Sequence, residues 1–253
     1  MAQIVSGGVE IYYEARGSGP AILLSHGYGE TSQMWRDQFE ALSVHHRLIV
    51  WDMRGHGRSG VPEDQAAYTQ AATVADMRAI LDAEGIDQAV IGGLSLGGFM
   101  SLAFHLTHPE RVRALMLIDT GPGFKNDEAR EGWNRYALKI AEGFRQNGLA
   151  QLGRDLQSSG RNEHASAEGL VRSAVGMLTQ QSGEVIHSLP EIRAPTLVVV
   201  GENDEPYLAA SDYMHGKISG SHKVIIPDAA HLANVDQPEI FNREVLGFLE
   251  GLA

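Results

Sequence analysis

Apolar and polar positions follow two rhythms along this chain, and the change from one to the other divides it. Short unbroken apolar runs recur early: Ala21-Ile22-Leu23-Leu24, Leu48-Ile49-Val50-Trp51, Ala89-Val90-Ile91 and Val112 to Ile118. Such runs predict strands buried on both faces. Between them, apolar residues return every three or four positions. Met34, Trp35, Phe39 and Leu42 make one such stripe, with Thr31-Ser32 placed to cap it. Val74, Met77, Ile80 and Leu81 make a second over 73–84, with Gly85 standing where a helix C′ residue belongs. Phe99, Met100, Leu102, Ala103, Phe104 and Leu106 make a third, which Pro109 limits. Val9 to Glu14 alternates weakly ahead of Gly17-Ser18-Gly19-Pro20, as the arm of an early hairpin does. Residues 61–70 are polar and read as a surface loop.

Strands alternating with helices over short links predict a parallel sheet covered on both faces, an α/β fold. From 121 to 190 the strand-like runs stop. Trp133, Tyr136, Leu138, Ile140 and Phe144 come first, then Leu149, Leu152 and Leu156 at helical spacing, then Leu170, Val171, Val175, Met177 and Leu178. About 70 residues are too many for an ordinary loop. We expect a helical cap at 121–190, inserted over the sheet's ligand edge, with 1–120 and 191–253 forming the core domain. Thr196 to Val200 and Val224 to Ile226 restore the strand pattern, and Pro238 to Leu249 predicts a closing helix.

The polar stops fall where such a sheet binds ligands, beyond the carboxyl ends of its strands. They are Ser25 to Gly29, Asp52 to Gly60, Ser95 to Gly98, Gly201 to Pro206 and Pro227 to His231. In Gly93-Leu94-Ser95-Leu96-Gly97 a strand ends on a glycine-flanked serine and a helix follows, the context of a nucleophile elbow. A serine hydroxyl needs a base in contact and a carboxylate that orients the base. His231 is the candidate base and Asp204 the candidate acid, both just past late strands. Asp119, at the end of the strand after the serine, and Asp228 are rival acids, and Glu202 and Glu205 flank Asp204. The tetrahedral oxyanion needs preorganised donors. The backbone N–H of Leu96 is one candidate and that of Tyr28 the other, with the Tyr28 phenol either in the pocket or packed. Trp133, Tyr136, Phe144 and Met177 are candidate pocket residues from the cap. His26 and His56 sit in the motif turns, where hydrogen bonding is expected. His45, His46, His105, His108, His164, His187, His215 and His222 read as surface or packing residues.

Composition narrows the partners. Thirty-two acidic against 20 basic residues leave a net charge of −12, which repels nucleic acid and anionic membranes. There is no cysteine, hence no disulfide, thiolate ligand or cysteine nucleophile. No apolar stretch is long enough to span a bilayer, and the start of the chain lacks the basic-then-apolar order of a secretory leader. The expectation is a cytoplasmic protein, monomer or homo-oligomer, acting on a small molecule. No metal-ligand spacing, dinucleotide fingerprint or phosphate loop appears, so neither a metal nor a cofactor is expected.

Ser25-His26-Gly27-Tyr28-Gly29, Asp52-Met53-Arg54-Gly55-His56-Gly57-Arg58-Ser59, Gly93 to Gly98, Gly201-Glu202-Asn203-Asp204 and Ala230-His231 with Gln237-Pro238 together resemble the α/β-hydrolase superfamily. The resemblance is to its capped esterase, enol-lactonase and haloperoxidase-like members. It implies an eight-stranded, mostly parallel sheet with the cap after the sixth strand, a Ser95–His231–Asp204 triad and no cofactor. It singles out Asp204 among its acidic neighbours. Serine at 95 separates the chain from the epoxide hydrolases and haloalkane dehalogenases, which use aspartate there. Asp228-Ala229-Ala230 departs from the glycines that usually precede the histidine. The implied activity is hydrolysis of an ester or lactone through an acyl-enzyme. Carbon–carbon hydrolysis of a diketone, perhydrolysis, or a non-catalytic ligand-binding role on the same scaffold are the alternatives.

Overall fold

In the computed structural model, residues 2–154 and 157–252 are described, and the reading of Leu156 lies outside them. The strands are β1 (Ala2–Ser6), β2 (Val9–Arg16), β3 (Ala21–Ser25), β4 (Arg47–Trp51), β5 (Ala89–Leu94), β6 (Val112–Ile118), β7 (Thr196–Gly201) and β8 (His222–Ile226). They form one sheet of order β1-β2-β4-β3-β5-β6-β7-β8. The pairs of β2 with β1 and with β4 are antiparallel and the rest are parallel. β1 has no counterpart in the sequence reading, because Val5 is 70% exposed and the strand shows no buried run.

The unbroken apolar runs serve two cores at once, because successive side chains point to opposite faces of a strand. Leu23, Ile49, Ile91, Leu115, Leu117 and Val198 face one core, whereas Ile22, Leu24, Val50, Val90, Met116 and Val199 face the other. The second face is covered by a 3₁₀ turn (Ser32–Gln38), α1 (Phe39–Ser43) and a closing helix. The first face is covered by α2 (Gln70–Ala83) and α3 (Leu96–Thr107). Thr31 and Thr69 cap their helices through the hydroxyl, and Gly85 takes the positive φ of a C′ residue.

Between β6 and β7 the chain forms the helical cap. It comprises α4 (Asp127–Asn147), α5 (Ala167–Ser173) running into a π-helical turn (Ala174–Leu178), and α6 (Glu184–Ser188). After β7 come α7 (Glu205–Lys217), α8 (Ala233–Asp236) and the closing α9 (Pro238–Glu250). No helix among the described residues is long and apolar enough to cross a membrane.

The cap is seated on the turn after β4. Arg54 is buried there and holds Asp76 of α2 by two hydrogen bonds, of 2.8 and 2.6 Å. The Ser173 hydroxyl of α5 donates to the Arg54 carbonyl. Gly176 lies so close to the Tyr68 carbonyl that a Cβ would stand 1.8 Å from it. The surface-loop reading of 61–70 is therefore corrected at Tyr68, which is fully buried under the cap. Its ring packs against Gly55 of the turn after β4, and the cap closes over it from more than 100 residues later in the sequence.

Candidate active site

The elbow is built by backbone proximity. Ser95 has φ 54° and ψ −114°, a strained conformation for a residue with a side chain, at the junction of β5 and α3. Its N–H donates to the Ile118 carbonyl at 2.9 Å, and the Thr120 hydroxyl donates to its carbonyl at 2.6 Å. Two of its glycines are required by space. A Cβ on Gly97 would lie 2.2 Å from the Ser25 carbonyl oxygen, and one on Gly93 would lie 2.5 Å from the Gly97 carbonyl carbon. β3, β5 and α3 meet here without side chains between them, which lifts Ser95 above the sheet edge.

Ser95, Asp204 and His231 line one cavity of about 520 Å³ under the cap. Asp204 is buried at the start of α7, and its Oδ2 lies 2.8 Å from His231 Nδ1. The turn before His231 takes its positive φ at Asp228 (55°), and neither Ala229 nor Ala230 has to adopt one. Asp228 itself is exposed. Asp119 is buried, and its carboxyl oxygens are engaged elsewhere: they accept the N–H of Gly201 at 2.7 Å and of Ala233 at 3.2 Å. Burial, with Asp204 nearby, holds the Asp119 carboxyl well above its usual range.

Leu96, directly after Ser95, and Tyr28, on the β3 loop, flank the serine in the cavity walls. The Tyr28 phenol does not enter the pocket as a polar group. It donates to the Leu170 carbonyl of α5 at 2.8 Å and ties this loop to the cap. Trp133 and Tyr136 of α4 line the cavity. As residues of this cavity Phe144 and Met177 require correction: Met177 is buried in the apolar core, and Phe144, buried edge-on to the Tyr28 ring, lines an adjoining cleft with Tyr28, Glu30 and Ile140. Helical spacing marks an apolar face, and a core and a pocket satisfy that face equally well.

Two residues of the wall were not singled out in the sequence. Tyr207, one turn beyond Asp204, stacks its ring on His231 with centroids 4.7 Å apart and 29° between planes. It shares the cavity wall with Ser95, and burial pushes its phenol up to about 12, so it stays protonated at neutral pH. The available signal was its i+3 spacing from Asp204. Glu30, also in the cavity wall, is buried and accepts the Ser159 N–H at 2.9 Å and the Ser159 hydroxyl. Burial raises its carboxyl.

Histidines set the β3 loop. His26 Nδ1 donates to the Gly27 carbonyl at 2.7 Å, and its Nε2 accepts the Met53 N–H at 2.9 Å. Burial lowers His26 to about 4, which keeps Nε2 an acceptor. His164, expected at the surface or in packing, bridges cap and core. Its Nδ1 accepts the Gly57 N–H and its Nε2–H donates to the Gly29 carbonyl, both at 3.0 Å. Only neutral imidazole can do both, and burial lowers His164. A histidine depressed in the folded state binds fewer protons than in the unfolded state, so its stabilisation holds above about pH 6.5 and is lost as pH falls through its folded value. His164→Ala is thus expected to lower Tm by about 5 °C at pH 7.5, from two lost hydrogen bonds, and by much less at pH 4.5. Calorimetry of both proteins at the two pH values checks this, and an equal deficit at both would refute the latch.

Among the described residues no group of three or more histidine or acidic side chains is arranged to hold a metal. The family model described as alpha/beta hydrolase fold matches residues 20–185. The 2-hydroxy-6-oxo-6-(2'-aminophenyl)hexa-2,4-dienoic acid hydrolase of Metapseudomonas resinovorans is 30% identical, over 96% of this chain and 89% of its own. Among solved structures, a hydrolase from Pseudomonas aeruginosa PA01 is 30% identical with a TM-score of 0.80, covering 98% of this chain and 97% of its own. A thermophilic esterase from Thermogutta terrifontis is 28% identical with a TM-score of 0.82, covering 99% and 98%.

Proposed function

Because the chain belongs to the α/β-hydrolase fold family, we propose that it is a serine hydrolase cleaving a carboxylic ester or lactone of a small, largely apolar substrate. The observation that carries this reading is the 2.8 Å Asp204–His231 pair on the wall of the same cavity as Ser95. Asp204 holds the His231 proton on Nδ1 and leaves Nε2 as the base. His231 takes the Ser95 proton as Oγ attacks the carbonyl, and the N–H groups of Leu96 and Tyr28 receive the oxyanion. His231 then protonates the leaving alcohol, and the same nitrogen activates water against the acyl-enzyme. Asp204, rather than Asp119, is the orienting acid. No step needs a cofactor or a metal. In this reading 1–120 and 191–253 supply the chemistry, and the cap at 121–190 shapes the pocket with Trp133 and Tyr136. The partner is a small molecule, and a cytoplasmic location fits the reading.

A fluorophosphonate probe followed by peptide mapping tests the nucleophile. The expected label is on Ser95, at a rate that falls when substrate ester competes. Label elsewhere, or none on folded protein, would overturn the assignment. A panel of esters, lactones and vinylogous diketones then separates ester cleavage from carbon–carbon hydrolysis. Turnover of diketones alone would replace the ester reading.

A further inference from the structure

Two chambers meet at Ser95. The large one, about 520 Å³, contains His231, Tyr28 and Tyr136 in its walls. The small one, about 140 Å³, runs over the start of α3 past Phe99, Thr120, Gly121 and Ala210 of α7. Ser95, Phe124, Trp133, Leu178, Pro206 and Tyr207 line both, and the Tyr207 ring also stacks on His231.

The chemistry assigns an end of the ester to each chamber. A leaving alcohol takes its proton from His231, so its oxygen must come within hydrogen-bond reach of that ring. His231 lines the large chamber and not the small one. The alcohol therefore occupies the large chamber. With the oxyanion between Leu96 and Tyr28, the acyl substituent is directed to the remaining opening, the small chamber behind Leu96. An apolar cavity of about 150 Å³ accommodates benzene, so this chamber suits an acyl group of about six carbons or fewer. Resting on the serine-hydrolase reading above, we infer that the substrate class is an ester of unequal halves: a short acyl group and a bulky apolar alcohol.

A reversed pair of isomeric esters tests this without a difference in leaving-group activation. The first is 2-(2-naphthyl)ethyl acetate and the second is methyl 3-(2-naphthyl)propanoate. The expected kcat/KM favours the acetate by about 100-fold, and 2-(2-naphthyl)ethyl butyrate exceeds the octanoate by a similar factor. Ala210→Leu adds carbons to the wall of the small chamber alone, on a half-buried helical position. It is expected to lower the butyrate-to-acetate ratio of kcat/KM by about tenfold. Preference for the methyl ester, or equal turnover of butyrate and octanoate by the unaltered protein, overturns the assignment while leaving the serine-hydrolase reading intact. No turnover of any ester together with no fluorophosphonate label on Ser95 removes both.

Discussion

Ser95→Ala is expected to lower kcat for ester hydrolysis by on the order of 10⁶-fold, leaving at most the residual rate of bound, polarised substrate. The change removes only Oγ, and with it the bond-forming atom of the acyl-enzyme. The strained backbone at φ 54° costs alanine about what it costs serine, since both carry a Cβ. The bonds that hold the elbow, Ser95 N–H to Ile118 and the Thr120 hydroxyl to the Ser95 carbonyl, use backbone atoms that alanine retains. Tm should therefore stay within about 2 °C, the shift from a few tenths of a kcal/mol in a chain of this size. Steady-state rates on protein purified free of host esterases, read beside thermal unfolding, check both halves. Undiminished hydrolysis by well-folded Ser95→Ala protein would end the nucleophile assignment.

Asp204→Asn should cost about 10⁴-fold in kcat, because asparagine cannot hold the His231 proton on Nδ1 as a carboxylate does. Its amide can present N–H to Nδ1 and so favour the wrong tautomer. The 2.8 Å contact is the whole basis of this expectation, and the same contact is lacking at Asp119. Asp119 accepts two backbone N–H groups at the ends of β7 and α8, and burial drives its carboxyl toward the neutral form. Asparagine keeps the shape of that form and the acceptor for one of the two N–H groups. Asp119→Asn is therefore expected to keep activity within about tenfold, while the loss of Asp204 is catalytic in size. The pH dependence of kcat/KM separates the roles further, since it reports the free enzyme's essential base and shifts with a change in the partner of that base. A loss at Asp119→Asn as large as that at Asp204→Asn would move the orienting role to Asp119.

Tyr207 lines both chambers beside the candidate triad. Its backbone N–H bonds the Asp204 carbonyl at 2.9 Å, so the first turn of α7 carries the candidate acid and the ring that stacks on the candidate base. Movement of this turn would displace Asp204, His231 and the Tyr207 ring together. The β3 loop is fixed from the other side by His26, His164 and the Tyr28 phenol, each bonded to a different segment. The cap is thus joined to the β3 loop by hydrogen bonds as well as by its apolar core.

Reading the sequence reached the sheet and its edge because the relevant signals are local. A strand buried on both faces must be apolar at every position, so β3 to β7 announce themselves. A turn that brings three backbones together must be glycine at Gly93 and Gly97, so the serine between them stands out. The long stretch without such runs marks the cap for the same reason. β1 escaped because a half-exposed edge strand carries only weak alternation. Tyr68 was misread, and the hydrogen bonds of His164 went unread, because their partners are remote in sequence: the cap closes over one, and core loops at Gly29 and Gly57 bind the other.

Ser95, Asp204 and His231 illustrate the division. Their positions after strands β5, β7 and β8 follow from sequence pattern, since chain order and strand ends are properties of short segments. Whether Asp204 or Asp119 touches the imidazole depends on side-chain direction across loops about 30 to more than 100 residues apart, which no local period encodes. The same holds for the cap. Periodicity made Phe144, Met177, Trp133 and Tyr136 equally apolar, and only packing sent the first two inward and the last two to the cavity. The sequence by itself determined which residues stand at the sheet edge. The tertiary structure decided which of them face one another, because burial satisfies an apolar side chain in a core or in a pocket alike, whereas a hydrogen bond requires a partner at 2.8 Å.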